Sequence, residues 1–237
     1  MTHQNGVSGA SGDRYSRVAI VLHWAIAAFI IFNLCSGFFM ESWLHGALME
    51  SAPPQMRWLS LVLHVSSGLT VLALTVARVV WRLLNAPPPY RAAMKPWERH
   101  TARFVHFLLY AAMVLMPLTG WAILSAHPPP GSPGAAAQVA TPPAAPSGRP
   151  PAAAPLTVKV WNVVPMPVIA PIEAIGKEPG GVAAQHVLHE EFQEWHGVGG
   201  YLLLGLLILH ILGALKHQFI DKQSEFARMG IGRRRQS

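Results

Sequence analysis

The sequence predicts an all-α membrane protein, an antiparallel bundle of four transmembrane helices with both termini cytoplasmic. Three observations predict it. Hydrophobic residues make up 51% of the 237, charged residues only 12%, and the mean hydropathy is +0.32. Soluble domains carry about a quarter charged residues, so this chain is built to meet lipid. Four apolar runs are each long enough to cross a hydrocarbon layer of about 30 Å. Finally, fourteen of the eighteen Lys and Arg fall on one side of those runs.

The elements follow in order. Residues 1–17 form a short tail with Arg14 and Arg17, and residues 18–237 form the membrane domain. The first span is expected over Val18–Phe39, the second over Trp58–Leu84, the third over Phe104–Ser125 and the fourth over Trp195–Phe219. Each must be helical, because lipid offers its backbone no hydrogen-bond partner. The first run has no small-residue cleavage site and reads as a span, not a signal peptide. The inner end of the second span and its connection to the third hold Arg78, Arg82, Arg91, Lys95, Arg99 and Arg103, and six more cations lie at or beyond the inner end of the fourth span. Positive charge stays inside, so that connection and both ends are cytoplasmic.

The third loop faces outward and is unusual. Residues 127–155 are nearly all Pro, Ala, Gly and Ser, which predicts a flexible, partly polyproline linker without helix. Residues 156–181 are apolar but broken by Pro165, Pro167 and Pro171, so they read as a re-entrant or surface-lying outer cap. A helix should begin near Val182 and run into the fourth span. There is no internal repeat.

A formal charge of +7 could suggest nucleic acid, but so apolar a chain is no soluble nucleic-acid binder. The single cysteine, Cys35, excludes an internal disulfide framework and any Cys-based zinc or iron–sulfur centre within the chain. Twelve histidines in a charge-poor chain are the anomaly.

Ionisable side chains inside spans mark function by default. His23 lies in the inner half of span one and His64 in the outer half of span two. His196 and His210 both lie on span four. Fourteen helical residues rise about 21 Å and return to within about 40° of the same face, so these two imidazoles stack. Depth matches His64 with His196 and His23 with His210. Two depth-matched pairs suit bis-imidazole ligation of two haems b. Gly68, Gly197, Gly199, Gly200 and Gly213 would leave room for a flat ring.

Other readings of the same residues stay open. A buried His can serve structure alone, and a membrane glycine can serve helix packing. A divalent metal site or a transporter would also use membrane histidines. His106, near the inner start of span three, is a rival inner ligand or a contact to a haem propionate or quinone. Arg78 and Arg82 either snorkel or pair with propionates. His186, His189 and Glu190, Glu191 and Glu194 read as a solvated outer helix face.

These residues resemble the bacterial cytochrome b561 family of four-helix di-haem membrane proteins. The matching stretches run from Tyr15, Ser16 and Arg17 to His23 and Trp24, then from His64 to Gly68. Next come His106 with Tyr110, and Pro117 to Gly120. Trp195 and His196 follow, then His210, then His217 to Asp221. The match covers all four spans. The resemblance implies axial ligands on the first, second and fourth helices: His23 and His210 for the inner haem, His64 and His196 for the outer. It implies a bacterial inner membrane and electron transfer between an outer-face partner and ubiquinone or another quinone. One member type oxidises superoxide, which would make the protein a superoxide:quinone oxidoreductase. In that type a histidine matched here by His217, and basic loop residues for which Lys95 is the nearest candidate, lie near the quinone. The long Pro/Ala-rich loop departs from the family pattern. It suggests an alternative, a haem b anchor for a separate periplasmic redox protein. The outer face also sums to about −3, which repels superoxide instead of steering it.

Overall fold

The computed structural model describes residues 14–41, 53–90, 94–140, 158–223 and 225–232. Most of the expected tail, residues 141–155 of the proline-rich loop and Arg91 lie outside them. Four long helices dominate: α1 (Arg17–Glu41), α2 (Pro54–Leu84), α3 (Pro96–Ser125) and α6 (Val182–Leu215). All four are long and apolar enough to cross a membrane. Proline opens α2 and α3 at positions where its missing N–H costs nothing. The Lys95 N–H donates to Glu98 Oε2 (3.0 Å), which fixes the entry to α3.

The bundle is two helix pairs, α1 with α2 and α3 with α6, joined by α2 against α3. A seam of Ile26, Ile30, Val71, Val105, Leu109, Met113 and Leu203 packs between them. Most remaining apolar side chains, such as Val21, Leu83, Phe107 and Leu202, face outward, as a lipid-facing surface requires. The start of α1 and the segment after α6 meet at one end of the bundle. There Arg14 Nε donates to the Ala227 carbonyl (3.2 Å) and Trp24 Nε1 to the Met229 carbonyl (3.0 Å). This is the terminal end; the opposite end carries a cap.

The cap corrects one expectation. Helix α4 (Pro133–Ala140) forms inside the stretch read as helix-free linker. Ser132 Oγ accepts the Ala135 N–H (3.1 Å), Pro133 occupies the first turn, and alanines follow. Proline excludes helix interiors, not helix starts, so the proline count overstated the linker. The Gly134 N–H donates to the Lys177 carbonyl (2.9 Å), so α4 is packed against the segment leading to α6. A two-residue hairpin, β1 (Lys159–Val160) and β2 (Val164–Pro165), and a short helix α5 (Ala170–Ile175) complete the cap. Trp161 and Asn162 at the hairpin turn both take positive φ (51° and 60°), the pairing that matches strand twist. Trp161 donates its backbone N–H to Ser66 Oγ (2.7 Å) and its indole N–H to Thr70 Oγ1 (3.1 Å). The hairpin thus packs along α2 beside Ser66 and Thr70. Helix α6 is 34 residues, about 50 Å, longer than the hydrocarbon core. Its first turns belong to the cap, where buried Gln185 donates to the Ile172 and Glu173 carbonyls (3.0 and 3.1 Å).

Candidate functional site

The four span histidines come together in two pairs, one near each end of the bundle interior. At the cap end, His64 of α2 faces His196 of α6 with ring centroids 6.1 Å apart and planes at 73°. At the terminal end, His23 of α1 faces His210 of α6 at the same 6.1 Å and 69°. Metal–nitrogen bonds of about 2 Å on each side of one atom, plus the ring radii, span about 6 Å. Both separations therefore suit two imidazoles sharing one iron.

The cap-end pair has a supporting shell. Ser36 Oγ lies 2.9 Å from His64 Nδ1, and the Ser36 hydroxyl donates to the Asn33 carbonyl (3.1 Å). With that proton committed, Oγ accepts from Nδ1–H and leaves Nε2 as the lone-pair nitrogen. Thr119 repeats the arrangement: Oγ1 lies 2.9 Å from His196 Nδ1 and donates to the Met116 carbonyl (2.9 Å). Each hydroxyl is followed by a glycine. A Cβ on Gly37 would stand 3.2 Å from His64 Cε1, and one on Gly120 would stand 3.2 Å from His196 Cε1. The rings lie against neighbouring helices because those side chains are absent. This shell was missed from sequence, although the Ser-Gly and Thr-Gly dipeptides were visible signals.

The glycines expected to make room divide. Beside Gly197, Gly200 and Gly213 the space is open, as a bulky group requires. Gly199 instead accommodates Met116, whose Sδ would lie 2.5 Å from an added Cβ. A Cβ on Gly68 would meet Asn33 Oδ1 at 3.5 Å, an ordinary contact. Only Gly199 of these two is required by packing.

The terminal-end pair has different neighbours. His106 of α3 approaches His210 (centroids 5.1 Å apart, planes at 82°) and its Nδ1 donates to the Ala102 carbonyl (2.6 Å). Trp24 stands edge-on to His23 at 5.2 Å. Arg78 donates from Nε to the Tyr110 hydroxyl (2.9 Å) and from Nη1 to the Ala19 carbonyl (3.1 Å). Arg82 lies one turn further out, 6.0 Å from the Tyr110 ring centroid.

His217 and Lys95 belong to a separate cluster at this end. A π turn, Lys216–Ile220, ends α6 and brings His217 Nδ1 to Asp221 Oδ2 (2.7 Å). Lys216 bridges Asp221 (2.8 Å) and Glu98, the residue that caps Lys95. Hydrogen bonds from Lys216 and then His217 hold the Asp221 carboxyl below its ordinary value. At the cap, His189 Nδ1–H donates to the Ile123 carbonyl (3.2 Å) and the ring stands edge-on to His127 at 5.0 Å. Burial, then the neighbouring His189, pushes His127 below the usual imidazole value. Among the described residues no three His, Cys, Asp or Glu converge as a cage for a bare ion. A haem needs only two axial donors, because its porphyrin supplies the other four.

A four-helix membrane bundle with two stacked imidazole pairs defines a class, the haem-bearing membrane cytochromes. The sequence profile of prokaryotic cytochrome b561 matches residues 14–232, and the chain belongs to that family. It is therefore a membrane electron-transfer protein, and the family implies haem b. It is similar to cytochrome b561 homolog 2 of Escherichia coli (strain K12), 25% identical over 92% of this chain and 91% of the relative. It is also similar to cytochrome b562 of Cereibacter sphaeroides, 34% identical over 45% of this chain and 63% of the relative. A third relative is the probable superoxide oxidase CybB of Yersinia pestis, 28% identical over 47% of this chain and 58% of the relative. Four apolar helices in this family fit a multi-pass bacterial membrane protein.

Proposed function

We propose that the protein carries electrons across a bacterial inner membrane through two haems b, with both termini cytoplasmic. His64 and His196 hold the outer haem, His23 and His210 the inner. The single observation that carries this reading is the repeated 6.1 Å imidazole separation at two levels of one helix. When bound, each haem supplies reversible one-electron chemistry at iron. The chain's own residues do the rest. Ser36 and Thr119 set the tautomer and ring orientation of the outer ligands. Arg78 sits where propionates of the inner haem would need a cation, with Arg82 one turn beyond. His106 abuts His210 and borders the inner site.

The electron acceptor is membrane quinone at the cluster of Lys95, Lys216 and His217. Reducing one quinone to quinol takes two electrons and two protons. His217 Nδ1 and the Lys216 ammonium hold protons where that reaction would draw them. The donor is an outer-face one-electron carrier, either superoxide or a periplasmic redox protein. Similarity to the probable superoxide oxidase of Yersinia pestis supports the first. The packed cap supports the second, the haem b anchor reading, because it builds a shaped surface over the outer site.

A visible spectrum of purified protein, oxidised and dithionite-reduced, tests the core of this reading. Two haems b per chain with a sharp reduced α-band are expected. A colourless protein, expressed with ample haem, would sink it. Reduction by superoxide then identifies the donor, and reduction by quinol, the acceptor step run in reverse, tests the quinone site. Failure of both, where dithionite succeeds, would favour the anchor.

A further inference from the structure

The terminal end holds a second feature, which shares Arg78 and Arg82 with the surroundings of the His23/His210 pair and adds Arg14 to them. A cavity of about 500 Å³ opens between the start of α1 and the last turns of α2. Arg14, Arg78 and Arg82 line it, together with Ser16, Trp81 and Tyr110. No Asp or Glu is among the described residues of its wall. The nearby Lys216 cluster balances its cations with Glu98 and Asp221; among the described residues the cavity's arginines meet only neutral acceptors, the Ala227 and Ala19 carbonyls and the Tyr110 hydroxyl. Three guanidinium groups around one space call for an anion.

Position identifies its source. Arg82 is on the last turn of α2, Arg14 precedes α1, and the wall continues through residues 85–88 beyond the helix. That is the depth of membrane headgroups. The indole of Trp81, a residue type that favours this interface, donates to Ser16 Oγ (2.9 Å) and ties the two segments together. Immediately along α2, Val80, Leu83 and Leu84 are exposed and apolar. A soluble anion would gain nothing from that surface, whereas acyl chains would cover it. A neutral quinone ring would leave the three charges uncompensated. Haem propionates, coming from the bundle interior, would meet Arg78 first.

We propose that the arginine cavity binds the phosphate headgroup of an anionic membrane phospholipid, with acyl chains along the exposed face of α2. Arg14 and Arg82 grip the phosphate from two chain segments, and basic pockets at helix ends select such lipids. The site stands whether or not the haem assignment does.

Native mass spectrometry of the purified full-length protein tests it, with added phosphatidylglycerol or phosphatidylcholine of identical chains. One phosphatidylglycerol per chain is expected to bind at least tenfold tighter than phosphatidylcholine. Arg14→Gln should lose about fivefold of that preference, the loss expected for one interfacial cation, and Arg82→Gln should lose it as well. Equal binding of the two lipids would overturn the proposal, and that comparison needs no variant to fold. Soluble glycerol phosphate binding as tightly as the lipid would make it a free-anion site and overturn it. Ubiquinone displacing phosphatidylglycerol one for one would make it a quinone site. Loss of one haem in Arg14→Gln, with lipid binding unchanged, would return the cavity to the propionates.

Discussion

The two imidazole pairs share a separation of 6.1 Å and differ in nearly everything around it. The cap-end pair rests on neutral partners, two hydroxyls and two glycines. Among the described residues the terminal-end pair has no hydroxyl partner, and it sits among His106, Trp24 and Arg78. The difference teaches how one bundle can make two unlike redox sites from the same ligands. An Nδ1–H donated to an oxygen makes an imidazole a stronger donor and favours ferric iron. Nearby cations disfavour the extra positive charge of ferric iron. In the proposed di-haem protein, both effects would place the potential of a haem at the terminal-end pair above that of one at the cap-end pair. Electrons arriving at the cap would then run downhill toward the terminal end.

The strongest way to break the comparison is to remove a ligand. His210→Ala should lose the terminal-end haem and keep the other, halving haem per chain in a pyridine haemochrome assay. Loss of both, or of neither, would show that the pairs are not independent or are paired differently. Next in size is Gly120→Val. Its Cβ would already stand 3.2 Å from His196 Cε1, and the methyls add more. The cap-end haem should be depleted while the His23/His210 site keeps its spectrum.

A gentler change sharpens the comparison. Thr119→Val removes the acceptor of His196 Nδ1–H with little change in volume. The cap-end potential should shift upward in a redox titration, the other should stay, and Thr119→Ser should restore the original value. An unchanged potential with both haems retained would show that the hydroxyl only packs. The smallest effect concerns Asp221. Its folded pKa is depressed, so its contribution is present above the unfolded value and fades as pH falls through the folded one. Wild type should therefore lose more thermal stability than Asp221→Asn between about pH 5 and pH 2, and the two melting curves should converge at the acid end.

The spans were legible because length and apolarity are properties of a continuous stretch. Even so, α3 begins at Pro96, eight residues before the expected Phe104, because polar residues tolerated in the first turns do not register as span. The stacking of His196 and His210 was legible because helical rise and rotation are fixed numbers. His106 was legible as a rival inner ligand, but its 5.1 Å approach to His210 was not, since residue spacing within α3 says nothing of its distance from α6. The helix at Pro133–Ala140 was hidden by a proline count that ignored where in a helix proline is tolerated.

By itself the sequence determined that four helices of this chain can cross a membrane, and that two imidazoles stack on the last one. Those facts are local, dictated by backbone satisfaction and by 3.6 residues per turn. Tertiary structure alone decided that Ser36 holds His64 and Thr119 holds His196, that Gly37 and Gly120 are the glycines that matter, and that Arg14 joins Arg82 across a cavity. Each of these depends on how neighbouring helices are turned about their own axes. That rotation is set by packing between helices and is not written in the spacing along any one of them.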